Sequence, residues 1–362
     1  MKSLVIHPPL LNSANPWCST LEQLEELYAS PHTGAVTTRT SLLEGFPNDE
    51  SIHQFAFYNP STHEAATPNK DRTDQTGETG SLNTLGYSPT PLRTYLEFIK
   101  TISDRLNDEK HYKPFIVSVT GSVEDVVECY QLISAHQRNV RMVLAMEVNL
   151  SCPNIPDKPP PAYDSASLLS YLSALKIEVG KQLGSTAQSE HHKIHVPIGI
   201  KTPPYTYHDQ FKNMIEALRS SAKLEPQNLP CPISFITATN TLGSSLLLTP
   251  TIESAQSPGG SKEREVFHHT LNSATGTGIG GLAGAPLHPL ALGNVYTIKG
   301  LLFQYSELEH IQIIGIGGVE DVNGYQRMRA VGAAAVGVGT ALGRKGVRVF
   351  EEIGEALQKG GH

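Results

Sequence analysis

The stretch 115–149, FIVSVTGSVEDVVECYQLISAHQRNVRMVLAMEVN, decides the fold. Its two ends, 115–120 and 143–149, are short and almost continuously apolar, which is typical of strands that are covered on both faces. The segment between them, 123–136, spaces its apolar residues as an amphipathic helix does. A strand, a helix and a second strand in this order predict a parallel βαβ unit.

The same alternation extends along most of the chain. Five more segments have the strand pattern: 34–38, 196–201, 233–239, 311–316 and 333–338. Helical patterns occur at 20–29, 90–107, 165–182, 207–221, 287–302, 322–331 and 347–358. An eighth strand from the region 54–85 would complete an α/β fold of the (β/α)₈ TIM-barrel type, with an open doubly wound sheet as the alternative that periodicity leaves open.

Composition narrows the class of protein. The chain has 362 residues, 39% of them hydrophobic, and a net charge of −7, which argues against nucleic acid as a partner. Four widely spaced cysteines without a CxxC pair suggest neither a metal site nor a disulfide scaffold, and they fit a reducing, cytoplasmic location. No apolar run approaches the ~20 residues of a membrane span.

We therefore expect one barrel domain over residues 1–362, in contact with neither nucleic acid nor membrane. Three polar stretches interrupt the pattern, and we interpret them as inserted loops rather than linkers: 59–79, 184–193 and 251–276.

Polar or glycine-rich residues follow every predicted strand, where the working residues of a barrel lie. Gly317 and Gly318 follow the seventh strand and Gly339 and Thr340 the last one, and each pair precedes a predicted helix. Backbone N–H groups of glycines and helix N-termini bind anions, so two such pairs favour a phosphate site over glycines that only make tight turns. The glycine-rich stretch 276–284 could supply a third backbone approach.

Two side chains at strand ends are candidates for chemistry. Lys201 ends an apolar strand, where a partly buried ammonium suggests an anion or an electron-rich cofactor, although a lysine that reaches solvent is the alternative. Cys152 lies in a polar loop, NLSCPN, where its thiol could act as a base if the site lowered its pKa. A buried structural cysteine is the commoner case.

Four asparagines, Asn83, Asn149, Asn154 and Asn240, also stand at predicted strand ends. An amide offers both a donor and an acceptor. Several that converge suit a flat heterocycle such as a pyrimidine or a flavin ring, whereas a single asparagine would only indicate a loop.

Together these motifs resemble the soluble, class 1A dihydroorotate dehydrogenases. The resemblance covers nearly the whole chain in register. The motifs that carry it are SLNTLG (81–86), NLSCPN (149–154), GIKTPPY (199–205), TNTLG (239–243), GIGGLAGAPLHPLALGNV (278–295), IIGIGGV (313–319) and GVGTAL (337–342). It implies a (β/α)₈ barrel that holds FMN at its C-terminal face. It also implies a homodimer, and oxidation of dihydroorotate to orotate in pyrimidine biosynthesis with fumarate as the electron acceptor.

The resemblance also implies roles for individual residues. Cys152 would take the proton from C5 of dihydroorotate while the C6 hydride passes to N5 of FMN. Lys201 would stand beside the N1–O2 edge of the flavin. The implied substrate-binding residues are Arg39, Asn83, Leu85, Gly86, Asn149, Asn154, Asn240 and Thr241. The implied cofactor-binding residues are Ser13, Ala14, Arg39, Thr40, Asn149, Lys201, Gly280, Gly281, Gly317, Gly318, Gly339 and Thr340.

The chain also departs from the family pattern. Arg39 replaces the usual lysine after the first strand, Trp17 lies in an opening loop that usually has small residues, Tyr87 replaces leucine, and His288 stands where lysine is usual. Arginine and lysine are not interchangeable at a site for a carboxylate. Two alternatives follow, a diverged FMN oxidoreductase for another pyrimidine or dihydropyrimidine, and a flavin-binding paralogue without catalysis. The retained Cys152 and Lys201 argue against the second.

Overall fold

Eight parallel strands form one sheet that curves into a barrel. A computed structural model describes residues 3–70, 77–107, 112–152, 154, 160–184, 195–257 and 260–359. The barrel strands are β1 (Leu10–Asn12), β2 (Val36–Thr37), β5 (Phe115–Val119), β6 (Leu144–Asn149), β7 (Ile198–Thr202), β8 (Ile233–Ala238), β13 (Gln312–Ile316) and β14 (Ala335–Val338). Their spatial order is β1-β14-β13-β8-β7-β6-β5-β2, and a parallel bridge between Leu11 and Ala35 joins the two edge strands. The barrel prediction is confirmed, and the open sheet is wrong.

The eighth barrel strand is not where the sequence placed it. It is β1, three residues near the N-terminus, and it pairs with β14. The region 54–85 instead contributes β3 (Phe55–Tyr58) and β4 (Gly80–Asn83) to a separate antiparallel sheet. That sheet has the order β3-β4-β12-β9, and its other strands are β9 (Leu242–Ser245) and β12 (Gly280–Gly284).

Helices lie between the barrel strands as the patterns predict. Local signals set their starts: in α3, the Ser122 hydroxyl accepts from the Asp125 N–H at 3.1 Å and the Asp125 carboxylate accepts from the Ser122 N–H at 2.9 Å. A short helix, α8, was not predicted. The helices are α1 (Leu21–Ala29), α2 (Leu92–Arg105), α3 (Val123–His136), α4 (Ser165–Gly184), α5 (His208–Lys223), α6 (His288–Leu302), α7 (Val322–Ala330), α8 (Thr340–Lys345) and α9 (Arg348–Lys359). Within the described ranges, no helix has both the length and the apolar character needed to cross a bilayer.

One of the predicted loops is a β-hairpin. The stretch 251–276 is largely occupied by β10 (Leu248–Ser257) and β11 (Gly260–His269), which pair antiparallel. Its serine and charge content suggested a loop, but a two-stranded ribbon that faces solvent has no need of an apolar pattern. The predicted loop 59–79 falls partly, and 184–193 almost wholly, outside the described residues.

The barrel interior is closed by a small apolar cluster with one aromatic ring. Phe235 on β8 is fully buried there among smaller side chains such as Ile116, Ala145 and Ile314. Gly199 on the neighbouring strand β7 gives the ring its space, because a Cβ at this position would collide with it. This plug fills the barrel interior below the large cavity at the carboxyl ends of the strands.

Replacing the plug should weaken the fold strongly. Phe235→Ala is expected to lower the free energy of unfolding by about 3–5 kcal/mol, because it leaves a cavity in the barrel. The control is Tyr296→Ala, at a position 69% exposed on α6, with an expected change within about 0.5 kcal/mol. Urea denaturation followed by circular dichroism measures both, and equal losses would contradict this account of the core.

Candidate active site

One large cavity lies at the carboxyl ends of the barrel strands. It encloses about 1040 Å³ including its mouth, a size suited to a cofactor and a small substrate. The antiparallel sheet β3-β4-β12-β9 forms part of its wall. The sequence-predicted site residues that line it are Ser13, Ala14, Arg39, Thr40, Asn83, Leu85, Gly86, Asn149, Cys152, Asn154, Lys201, Asn240, Thr241, Gly317, Gly318, Gly339 and Thr340.

Two of the predicted residues lie outside the lining. Gly280 and Gly281 begin β12, and Gly281 pairs with Asn83 of β4. Their glycine character has a packing reason, since a Cβ on Gly281 would meet the Thr241 side chain and one on Gly280 the Asn83 carbonyl. The later residues of β12, Ala283 and Gly284, reach the cavity instead.

A buried lysine and a partly buried arginine make the cavity positive. Lys201 is only 4% exposed at the end of β7, next to Asn149 of β6. Over the residues that the structure describes, its ammonium has no carboxylate within 4 Å and no hydrogen bond. The Arg39 side chain has a single hydrogen bond there, from Nη2 to the Gly86 carbonyl at 3.4 Å, and burial lowers the pKa of its guanidinium. Charges this poorly compensated point to an anionic or electron-rich ligand.

A chain of hydrogen bonds under the cavity floor fixes the Asn149 amide. The Glu147 carboxylate can only accept when ionised, so Ser118 Oγ donates to it at 2.9 Å. Thr40 Oγ1 must then donate to Ser118 Oγ, at 2.9 Å, and Asn149 Nδ2 donates to Thr40 Oγ1 at 3.1 Å. All four side chains are buried. One carboxylate therefore sets the direction of the whole chain.

This direction continues to Asn240. Asn149 Oδ1 accepts from Ser151 Oγ at 3.0 Å and from Asn240 Nδ2 at 3.2 Å. Asn240 Nδ2 also donates to Ser151 Oγ at 2.9 Å, so both of its N–H groups are used. Asn240 Oδ1 accepts from the Thr241 N–H at 2.8 Å. What remains for a ligand is the second N–H of Asn149 and one further acceptor position on Asn240 Oδ1.

Hydrogen bonds to the protein also orient the other two asparagines, Asn83 and Asn154. Asn154 Nδ2 donates to the Leu85 carbonyl at 2.9 Å and to Asn83 Oδ1 at 3.0 Å, which leaves Asn154 Oδ1 as an acceptor. Asn83 Nδ2 donates to the Gly281 carbonyl at 3.2 Å and keeps one N–H. The four amides thus present two donors and two acceptors to the cavity, the pattern that a ring with alternating N–H and C=O groups requires.

Cys152 is half-buried on the loop after β6 and lines the cavity. Burial raises the pKa of its thiol. The Asn154 backbone N–H, the Tyr87 hydroxyl and the Lys201 ammonium act in the opposite direction. The other three cysteines, Cys18, Cys129 and Cys231, are fully buried, and all four are free thiols. Cys152 is therefore the thiol that a ligand in the cavity can reach.

Glycines with left-handed backbone form the far end of the cavity. Gly317 has φ 139° and Gly318 φ 64°. His288 supports this turn, since its Nδ1 donates to the Gly317 carbonyl at 2.7 Å and its Nε2 accepts from Arg327 Nε at 3.1 Å. The start of α7 is not open to an anion, because the Asp321 carboxylate caps it, at 2.7 Å from the Gly324 N–H.

The start of α8, in contrast, has no side-chain cap. Its first residue, Thr340, shares a hydrogen bond with Ser81 at 2.8 Å. An anion at this end would therefore meet the backbone of Gly317, Gly318 and Gly339. The sequence suggested that the anion would also meet the dipole at the start of α7, but the Asp321 carboxylate caps that helix.

The sequence analysis missed several lining residues. Trp17 and Tyr87 were noticed only as departures from the family pattern, yet both face the cavity. Trp17 stacks on Phe57 with ring centroids 5.6 Å apart and meets Phe55 edge-on at 5.4 Å. Thr239 has a buried hydroxyl for which the described residues provide no hydrogen-bond partner. Further missed residues are Asn15, Pro16, Phe55, Ser81, Ala283, Gly284, Leu287 and Ile316.

Comparison with known proteins assigns the family. The sequence profile described as "Dihydroorotate dehydrogenase" matches residues 55–360. The chain belongs to the dihydroorotate dehydrogenase family. A relative from Lactococcus lactis subsp. cremoris, named "Dihydroorotate dehydrogenase A (fumarate)", is 27% identical over 360 residues, which cover 97% of this chain and 89% of the relative. The resemblance stated from the motifs is confirmed, and this dihydroorotate dehydrogenase homologue is a member of an oxidoreductase family.

Solved structures support the fold. A ligand-free dihydroorotate dehydrogenase from Eimeria tenella superposes with a TM-score of 0.64 at 18% identity, over 97% of this chain and 85% of that one. A complex of that enzyme with ferulenol also gives 0.64, at 16% identity, over 98% and 82%. Identities this low bear on the fold alone.

The hydrogen-bond chain under the floor should contribute to stability. Ser118→Ala removes its middle link and leaves the Glu147 carboxylate and the Thr40 hydroxyl without that partner, so we expect a loss of about 1–3 kcal/mol in unfolding free energy. Ser234→Ala is the matched control, because this buried barrel serine has no hydrogen-bond partner for its hydroxyl among the described residues. Its loss should be near zero in the same urea titration. Similar losses in both variants would show that the chain contributes no stability.

Proposed function

We propose that this dihydroorotate dehydrogenase homologue oxidises dihydroorotate to orotate with FMN as its bound cofactor and fumarate as electron acceptor. The observation that carries the proposal is the meeting of three kinds of group in one cavity. They are the accessible thiol of Cys152, the unpaired ammonium of Lys201 and four oriented asparagine amides. A base, a cation and a planar recognition surface are what removal of two hydrogens from a dihydropyrimidine requires.

The residues of the cavity fit a flavin. The unpaired Lys201 ammonium and the orphaned Thr239 hydroxyl both need a ligand with acceptor atoms. The glycines at the far end line the cavity, where a phosphate can approach their backbone closely. Gly317, Gly318, Gly339 and Thr340 would hold the phosphate, and Lys201 would lie at the polar edge of the ring. When bound, the flavin supplies a hydride acceptor.

The substrate would occupy the space between the asparagines and Cys152. The two donors and two acceptors that the amides leave match the N–H and C=O groups of a pyrimidine ring. Arg39 would bind the substrate carboxylate. Its planar guanidinium can pair a carboxylate with two parallel hydrogen bonds, where a lysine offers a point charge.

The proton and hydride of the substrate then leave in different directions. Cys152, as thiolate, would take the proton from C5. A flavin held beside Lys201 would supply the acceptor for the C6 hydride, and loss of both hydrogens would give orotate with its C5–C6 double bond. Fumarate would take up the two electrons, together with two protons, as succinate. Lys201 would stabilise negative charge on a reduced cofactor.

We also infer a homodimer in the cytoplasm. An apolar strip on the solvent-facing hairpin β10–β11 supports the dimer: Ile252 is 72% and Phe267 58% exposed. Four free cysteines agree with a reducing compartment. The net charge of −7 gives no support to nucleic acid as a partner.

Cys152→Ser should retain the flavin but react slowly. With serine as a far weaker base, we expect anaerobic reduction of the flavin band by dihydroorotate to slow by about 10²–10⁴-fold. In the unsubstituted protein, the rate should rise with pH, because burial raises the Cys152 pKa and only the thiolate accepts a proton. Stopped-flow absorbance at the flavin maximum, over a series of pH values, measures both effects.

Three outcomes bear on the proposal. Fast reduction in both proteins would exclude Cys152 as the base. No reduction of the unsubstituted protein by dihydroorotate, together with reduction by another dihydropyrimidine, would favour the diverged enzyme that the Arg39 and Trp17 departures suggest. A flavin that no pyrimidine reduces would indicate the paralogue without catalysis.

A further inference from the structure

Tyr87 occupies an unusual place beside the reactive thiol. It lines the main cavity together with Cys152, and both residues also line a second, small cavity behind the loop that carries Cys152. Thr120, Gly121 and Tyr171 are among the other residues that line that small cavity. The Tyr87 phenol therefore lies between the substrate side of the thiol and the interior of the protein.

Packing holds the Tyr87 ring in this position. Phe46 meets it edge-on with ring centroids 5.9 Å apart, and the Phe46 N–H donates to the Ser88 carbonyl at 2.8 Å. The preceding residue is glycine because a Cβ on Gly86 would collide with the Phe46 ring. The Phe46 ring thus packs against the Tyr87 ring in the protein without any ligand.

The Tyr87 hydroxyl has two neighbours and one proton. It neighbours the Cys152 sulfur and the Thr120 hydroxyl, which line the small cavity with it, and it can donate its proton to either one. The Thr120 proton is committed, since Thr120 Oγ1 donates to the Asn149 carbonyl at 2.8 Å. A charged acceptor makes the stronger hydrogen bond. The phenol proton therefore points to the sulfur when Cys152 is a thiolate, and is free to point to Thr120 when Cys152 is a neutral thiol.

Burial raises the pKa of the Tyr87 phenol, so it stays a donor throughout the neutral range. The other charged group that faces the thiol is the Lys201 ammonium, which acts from the opposite wall. The small cavity contributes one more titratable side chain, Tyr171, but its hydroxyl donates to the Gly121 carbonyl at 2.8 Å. The Tyr87 hydroxyl is thus a neutral donor, and the direction of its proton depends on whether the Cys152 thiol is ionised.

We propose that Tyr87 is a positioning residue for the base: its hydroxyl donates a hydrogen bond to the Cys152 thiolate, holds the sulfur toward the substrate and favours its ionised form. Only the catalytic part of this proposal rests on the proposed role of Cys152 as the base. The hydrogen bond and its effect on thiol ionisation belong to the protein without substrate.

Alkylation of Cys152 tests this without any turnover. Iodoacetamide reacts with the thiolate, and the other three cysteines are fully buried, so Cys152 is the expected site of labelling. The alkylation rate of the purified flavoprotein is measured against pH by mass spectrometry, with Cys152→Ser as the blank. The midpoint of this curve reports ionisation of the thiol, whereas a change in access moves only the plateau.

In Tyr87→Phe we expect the midpoint to move up by about one to two pH units, the loss expected for one hydrogen bond to a charged group. The matched control is Tyr171→Phe, which removes a phenol oxygen from the same small cavity but not from the sulfur, and it should leave the midpoint unchanged. An unchanged midpoint in Tyr87→Phe, or an equal shift in both variants, would overturn the proposal.

The pH profile of flavin reduction gives a second readout. In Tyr87→Phe, the rise of the reduction rate by dihydroorotate should move to higher pH by the same amount as the alkylation midpoint. A shift in alkylation without any reduction by dihydroorotate would sustain the Tyr87 hydrogen bond and reject the proposed substrate. A shift in neither measurement would reject the role of Tyr87 alone, provided that the unsubstituted protein is reduced.

Discussion

The Lys201 ammonium is the constraint on which the rest of the site depends. It is 4% exposed, at the end of a strand whose neighbours are apolar, and the described chain provides no counter-ion for it. Burying a cation in this way costs several kcal/mol unless something else compensates the charge. A second cation, the partly buried Arg39, adds to the imbalance of charge. The fold therefore maintains a positive cavity that an anionic or electron-accepting ligand completes.

The surrounding structure keeps the cavity polar, oriented and open. Phe235 plugs the barrel below it, so the strand ends above cannot collapse inward. The Glu147 carboxylate, through Ser118 and Thr40, fixes the direction in which the Asn149 amide points. Rigid placement of donors and acceptors is what allows a protein to stabilise charge as it develops, without reorganisation at the moment of reaction.

Much of this could be predicted from the sequence, because buried parallel strands and amphipathic helices leave strong patterns. The eighth barrel strand was not predicted, because Leu10–Asn12 is too short to show any periodicity. The hairpin β10–β11 was not predicted, because polar and charged residues predominate in its sequence and separate Ile252 and Phe267 from other apolar residues. Strand ends identified most of the cavity lining, including Lys201 and Cys152.

The hydrogen-bond chain was not predictable, since Thr40 and Ser118 are 78 residues apart and neither is unusual for a strand end. Tyr87 illustrates the same limit. A single sequence marks it as a departure from the family, but only the folded chain brings its hydroxyl to Cys152. Contacts between distant elements arise from tertiary packing, and local sequence patterns do not predict them.

The reduction potential of the bound flavin tests the central claim most directly. Lys201→Gln removes the charge and keeps a polar side chain that is one atom shorter, while Lys212→Gln removes an exposed charge on α5. After reconstitution with FMN, the midpoint potential of Lys201→Gln should fall by about 30 mV or more, which for two electrons corresponds to ~1.4 kcal/mol of lost stabilisation of the reduced state. Lys212→Gln should match the unsubstituted protein. A potential in Lys201→Gln equal to that of the unsubstituted protein would contradict the claim that this cation serves the reduced cofactor.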